Sequence, residues 1–278
     1  MNASPAPTGF GLLSAASWGG SDFIGGLGAR RAPAFLITVS GQMVSFLVLL
    51  ALCTALHASL PHGHNLTITV IGGAEGALSL VVFYRALALG AMGLTAALTG
   101  LLTALVPVIF SAVHYGLPRP VTAVGLAAGC IAIWLITHQQ GASAPAKALV
   151  LGALAGLGFG LQLVLFKLAS DSSFLGLMAV ARAAGISALL LAMLVTRTSV
   201  QRKGFWVTGI AAGLLDTAGN LFYLGASRLG RLDTAAVICS LYPAGTILLA
   251  ALFLRERPSG RQLAGMGLAL AAVALLSF

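Results

Sequence analysis

Residues 33–56 read PAFLITVSGQMVSFLVLLALCTAL, twenty-four positions without one charged side chain. An α-helix rises about 1.5 Å per residue, so a run of this length crosses the roughly 30 Å hydrocarbon core of a bilayer. It is preceded by Arg30-Arg31-Ala32-Pro33, which combines charge with a helix breaker. The stretch therefore reads as one membrane-spanning helix with a defined start.

The same pattern recurs along the chain. Apolar runs are expected as helices at about 9–28, 33–56, 66–88, 91–115, 120–137, 148–169, 174–196, 204–227, 231–254 and 260–277. Breakers separate them at Pro61-His62-Gly63-His64, Gly116-Leu117-Pro118-Arg119-Pro120 and Arg255-Glu256-Arg257-Pro258. Over the 278 residues, hydrophobic side chains make up 59% and charged ones 8%. An ordinary soluble domain carries about 25% charged residues, so most of this surface must be solvated by lipid. The 35 glycines fit close helix packing in a membrane. Met1–Thr8 carries no Lys or Arg, unlike the start of a secretory signal peptide, so the first run is expected to remain as a helix.

The formal charge of +9 lies almost wholly between the runs and reads as topological charge, not as a nucleic-acid surface. Connections after odd-numbered helices hold Arg30, Arg31, Arg85, Lys147, Arg197, Arg202, Lys203, Arg255, Arg257 and Arg261, against Arg119, Lys167, Arg228 and Arg231 on the other side. The bias places the 138–147 linker in the cytoplasm and both termini outside. Cys53, Cys130 and Cys239 sit inside apolar runs without a CxxC neighbour and read as packing residues. His57, His62 and His64 read as a solvated turn, not a metal site, and neither a cofactor nor a metal is expected. Gly156-Leu157-Gly158-Phe159-Gly160 lies in an apolar helix and reads as packing glycine, not a phosphate cradle.

The chain also repeats itself. Trp18-Gly19 corresponds to Phe159-Gly160, and Glu75 to Asp216, both at a shift of 141 residues; Pro107 in the fourth helix corresponds to Pro243 in the ninth, and Gly129 to Gly267. The first half carries Pro118 where the second has Glu256. The organisation expected is a first five-helix repeat over 1–137, a polar linker over 138–147 and a second repeat over 148–278. An odd helix number per repeat inserts the halves with opposite orientation, the inverted arrangement that places a substrate site near the midplane of many transporters.

With these residues in hand, the chain resembles the drug/metabolite transporter superfamily, in its ten-helix EamA-type branch. The resemblance rests on Trp18-Gly19-Gly20-Ser21-Asp22-Phe23, on the Pro243 helix followed by Leu254-Arg255-Glu256-Arg257-Pro258, and on Gly265-Met266-Gly267. It implies an all-α integral membrane protein of the bacterial inner membrane. It also implies export of amino acids, other metabolites or toxic compounds, with helices 1–4 and 6–9 around a central cavity and helices 5 and 10 peripheral.

Asp22, Glu75, Arg182 and Asp216 are ionisable residues well inside expected helices, where each charge costs about 2.5–3.5 kcal/mol. They read as substrate or proton sites, or as an Arg182–carboxylate pair locking two helices. Ser14, Trp18 and Asp22 share one helical face; so do Glu75, Ser79 and Val82, and Asp216, Asn220 and Tyr223. These three stripes are expected to converge on one cavity, with Tyr84, Gln162 and Tyr242 as further lining candidates. Trp18 lies mid-helix, where membrane tryptophan is uncommon, and can stack on a substrate or fill the core. Glu75 and Asp216 are the proton-coupling candidates.

The function expected is secondary export of small metabolites, neutral or aromatic amino acids in particular, by a protein working as a monomer in the lipid bilayer. A passive facilitator, an uptake carrier and a multidrug efflux protein are the alternatives. An enzyme would need a cluster of His/Asp or nucleophilic residues at one membrane face, and the sequence offers none. Reporter fusions at the C-terminus and in the 138–147 linker are expected to report opposite sides of the membrane; the same side for both would contradict ten spans.

Overall fold

The computed structural model describes residues 6–116, 120–137, 145–169, 173–198, 204–229, 241–257 and 259–276. Among them are ten α-helices and no strand: α1 (Ala6–Ala29), α2 (Ala34–Ala55), α3 (Gly63–Ala88), α4 (Met92–Tyr115), α5 (Pro120–Thr137), α6 (Ala146–Leu168), α7 (Phe174–Val195), α8 (Phe205–Leu229), α9 (Tyr242–Phe253) and α10 (Gly260–Leu276). Five of them, α2, α3, α4, α6 and α7, are long and apolar enough to cross a membrane, with mean hydropathy between 1.8 and 2.2. Of the expected ninth helix, 231–240 lies outside the described residues, as do Pro118, Arg119, Arg202, Lys203, Arg231, Cys239 and most of the linker. Within the described part of that helix Pro243 sits in the first turn, not the interior. There the absent N–H breaks no intrahelical bond. Pro107 does lie inside α4.

Side-chain bonds give the directions of neighbouring helices. Ser14 Oγ donates to the Gly219 carbonyl at 2.8 Å and Ser21 Oγ to the Ala212 carbonyl at 2.9 Å. Residue numbers rise on α1 as they fall on α8, so the two helices are antiparallel. Gly41 meets Gly213, and Thr217 Oγ1 donates to Ser45 Oγ at 2.8 Å, so α2 and α8 are parallel. By the same reading α4 and α6 are parallel, through Thr95 on Gly152, Thr99 on Gly156 and Val106 on Gly160, and so are α3 and α7, through Ala181 on Gly73 and Ala77 on Gly185. Like-numbered parity runs parallel and unlike parity antiparallel, as successive bilayer crossings require.

The packing partners form pairs related by exchange of α1–α5 with α6–α10. The α1–α8 contact maps onto α6–α3, α2–α8 onto α7–α3, and α1–α9 onto α6–α4, while α2–α7, α4–α9 and α5–α10 map onto themselves. The turns repeat as well. His57 after α2 and Arg197 after α7 both take left-handed backbone, at φ 47° and 49°. Each is closed by the same six-residue bond, Ala58 N–H to Cys53 at 2.9 Å and Thr198 N–H to Met193 at 3.0 Å. His62 occupies the N-cap position of α3 in extended backbone, and His64 stands exposed in its first turn.

Close approach of backbones explains the glycine content. Gly152, Gly156 and Gly160 recur every fourth residue, forming a stripe on α6 that receives α4. A Cβ on Gly19 would lie 2.8 Å from both Gly245 Cα and the Tyr242 carbonyl oxygen, so α1 and α9 touch backbone to backbone. α5 and α10 pack on each other and on α4 at one side, with the Arg261 guanidinium 4.2 Å from the Trp134 ring centre. At one end, the Glu256 carboxylate accepts from Met92 N–H at 2.7 Å and Gly93 N–H at 3.0 Å, with Arg30 4.0 Å away. The loop after α9 thus satisfies two of the orphan donors that open α4.

A Cβ on Gly213 would fall into the Gly41 backbone, whereas one on Gly267 of α10 meets nothing within 4 Å. Gly213→Ala is expected to destabilise by about 1–3 kcal/mol, since rigid backbone must move apart. Gly267→Ala should be neutral or stabilise by up to about 1 kcal/mol through the unfolded chain. Thermal unfolding in detergent checks both; equal shifts would contradict this packing.

Candidate functional site

Where α1, α2, α3, α7, α8 and α9 meet, apolar helices carry a cluster of polar side chains. Its centre is an ion pair between Arg182 of α7 and Asp216 of α8, with side chains 12% and 28% exposed. Arg182 also donates from Nη1 to Gln42 Oε1 on α2 at 3.2 Å. Asn220, one turn after Asp216, donates its amide to the Asp216 carbonyl at 2.7 Å and faces the carboxylate at 3.4 Å. Gln42, Ser45 and Thr38 of α2, Tyr84 of α3, and the ion pair line a cavity of about 10 Å³. That is the room one water needs, so the bulk of Tyr84 and Arg182 leaves the expected central cavity nearly filled in this conformation.

α1 borders the cluster. Tyr84 lies against Gly25 and pairs with Ser21. Asp22 is in electrostatic reach of Asp216, Tyr84 and Tyr242. Trp18, one turn away, has ring-centre separations of 6.1 Å to Tyr223 and 6.1 Å to Tyr242, the second edge-on. Its indole lies over Gly219, where a Cβ would come within 2.7 Å of Nε1. Such aromatic contacts add about 0.5–1.5 kcal/mol each beyond burial. Tyr223 continues to Phe174 of α7 at 6.1 Å.

Two stripes expected to converge do so, those of Trp18–Asp22 and Asp216–Asn220–Tyr223, because α1 packs along α8. The third does not join them. Glu75 and Ser79 lie against Gly158 of α6, with Ser79 Oγ donating to Glu75 Oε1 at 2.6 Å. Gln162 of α6 sits over Gly76 and donates to the Gly72 carbonyl at 3.0 Å, tying α6 to α3. The α3 stripe thus faces the first helix of the other half, as the α8 stripe faces α1.

Among the described residues, three charged groups retain a buried polar atom without a partner: Asp22 Oδ2, Glu75 Oε2 and Arg182 Nε. Buried polar atoms are nearly always paired, so these atoms stand open to a further partner, as do the hydroxyls of Thr38 and Thr95. Gln42, 4% exposed, is absent from the sequence-derived set. Its signal was available, as an amide in the middle of a charge-free span.

Helices that alternate in direction through a lipid-solvated bundle, with ionisable groups gathered inside, are those of a multi-pass membrane protein. Residues 146–278 match the EamA-like transporter family, which bears out the resemblance drawn from the sequence and indicates a membrane transporter of the drug/metabolite type. No curated protein matches the chain in sequence. Among 24 similar solved chains is a crystal structure of a protein with a TM-score of 0.65, covering 97% of this chain and 96% of that one at 19% identity. At that identity the likeness establishes the fold.

Removing one member of the buried pair strands the other charge. Arg182→Gln and Asp216→Asn are each expected to destabilise by about 1–3 kcal/mol, and the double variant by less than their sum. A double-mutant cycle from thermal unfolding measures this; strict additivity would show that the pair contributes nothing.

Proposed function

We propose that this protein exports small metabolites, neutral or aromatic amino acids in particular, across the bacterial inner membrane by alternating access, driven by the proton gradient. The observation that carries the reading is the Arg182–Asp216 pair set beside the aromatic group on Trp18. Arg182 Nε is a buried donor awaiting an acceptor, which a substrate carboxylate supplies. The rings of Trp18, Tyr223 and Tyr242 offer apolar faces to a side chain. With Arg182 the one guanidinium among the described residues of the cluster, a phosphorylated sugar finds too little positive charge.

In this reading, residues 1–137 and 148–278 are inverted repeats joined by the 138–147 linker, and a monomer is the working unit. The exchange-related helix contacts and the matched turns after α2 and α7 support the repeat. Glu75 is the better proton carrier of the two equivalent acids. Asp216 is held by Arg182, whereas Glu75 meets a neutral hydroxyl and keeps Oε2 unpartnered. A carboxylate whose surroundings change as the cavity switches sides takes up a proton on one side and releases it on the other.

Reconstituted into proteoliposomes, the protein should move phenylalanine up its gradient when a pH gradient is imposed. Glu75→Gln is expected to abolish that gradient-driven flux while leaving substrate binding and downhill exchange within about twofold. Unchanged gradient-driven flux in Glu75→Gln would remove Glu75 from the coupling. Downhill movement that ignores the pH gradient in the wild type would make the protein a facilitator.

A further inference from the structure

The charges of the polar cluster do not balance. Asp22 and Asp216 are both carboxylates, and Arg182 is the one guanidinium among the described residues there. Arg182 is already committed, to Asp216 through Nη2 and to Gln42 through Nη1. Asp22 Oδ2 is buried with no hydrogen-bond partner. Among the described residues, the groups facing it across the helix contacts bring no positive charge: Tyr84 from α3, Tyr242 from α9 and Asp216 from α8. On α1 itself, Ser21 gives its hydroxyl proton to the Ala212 carbonyl. A carboxylate oxygen buried without a partner is unfavourable until a cation or a proton meets it, and of the two only a cation can come from a substrate that also fills the space beside it.

The surroundings specify the missing cation. One turn along α1, Trp18 packs on both Tyr223 and Tyr242, with ring centres 6.1 Å from each. Electron-rich ring faces beside an unpaired carboxylate suit an alkylammonium group, which gains from both. We propose that Asp22 anchors a substrate ammonium group, so that the site selects small amine-bearing molecules with an apolar or aromatic body. The amine is the group required; a carboxylate, received at Arg182 Nε, is an addition. The proposal names the substrate class of the site assigned above and rests on that assignment.

The test uses the full-length protein in nanodiscs and three probes of one shape: phenylalanine, phenethylamine and 3-phenylpropionate. Calorimetry should show binding of the two amines and little binding of the acid that lacks one. Asp22→Asn should weaken both amines by about ten- to hundredfold, the range for a charged hydrogen bond. It should melt no lower than wild type, because it removes an unpaired charge. The proposal is overturned if 3-phenylpropionate binds as tightly as phenylalanine, if Asp22→Asn binds the amines like wild type, or if neither amine binds. These probe comparisons stand on the wild-type protein even where the variant is poorly made. Asp22-dependent amine binding without any flux in proteoliposomes would contradict the exporter reading alone. Phenylalanine flux with Asp22-independent binding would contradict the anchor alone.

Discussion

Arg182 places a guanidinium in a helix solvated by lipid, and nothing in hydrocarbon can hydrate it. The chain meets this constraint by bringing Asp216 of α8 and Gln42 of α2 to the same spot. The long arginine head reaches both because the backbones around it approach closely, at Gly41–Gly213 and at Gly73–Ala181. The pair therefore sets which helices touch and how near they come. A buried pair of this kind adds little net stability, yet breaking it leaves an expensive lone charge. On the proposed reading, a zwitterionic substrate is what replaces one partner with another at no such penalty.

The two halves share backbone organisation but differ in charge. Exchange of α1–α5 with α6–α10 carries one set of helix contacts onto the other, and carries Asp216 onto Glu75. Asp216 meets an arginine; Glu75 meets the hydroxyl of Ser79. The asymmetry continues at the ends of the fourth and ninth helices, where Glu256 caps α4 and position 118 is proline. On the proposed reading, a duplicated frame with unlike side chains separates two tasks that a symmetric molecule would have to perform at one kind of site.

Much of this was legible in the sequence. Apolar runs and breakers placed nine helices to within a few residues, and the end of the one expected at 231–254, and the glycines of 156–160 were recognisable as packing positions. The alternative of an Arg182–carboxylate pair was also visible, but not which acid would take the arginine. That choice depends on α1 lying along α8 and α3 along α6, a tertiary fact that helical periodicity does not contain. For the same reason three stripes pointing inward were read as one site, although Glu75 and Ser79 face α6. Trp18 stood out by its depth, and the structure supplies its neighbours. Gln42 was overlooked because it has no ionisable group, although an amide in a charge-free span carries the same message in weaker form.

Alternating access requires that the cluster be reached from both faces of the membrane in turn. Ser45 lines the small cavity beside the Arg182–Asp216 pair and is 1% exposed. In a variant whose three native cysteines are replaced, Ser45→Cys can be challenged with a membrane-impermeant thiol reagent from one side and then the other. Alternating access predicts slow labelling from each side, with the ratio of the two rates shifting when substrate or a pH gradient is applied. Labelling from one side only, indifferent to substrate and gradient, would contradict it.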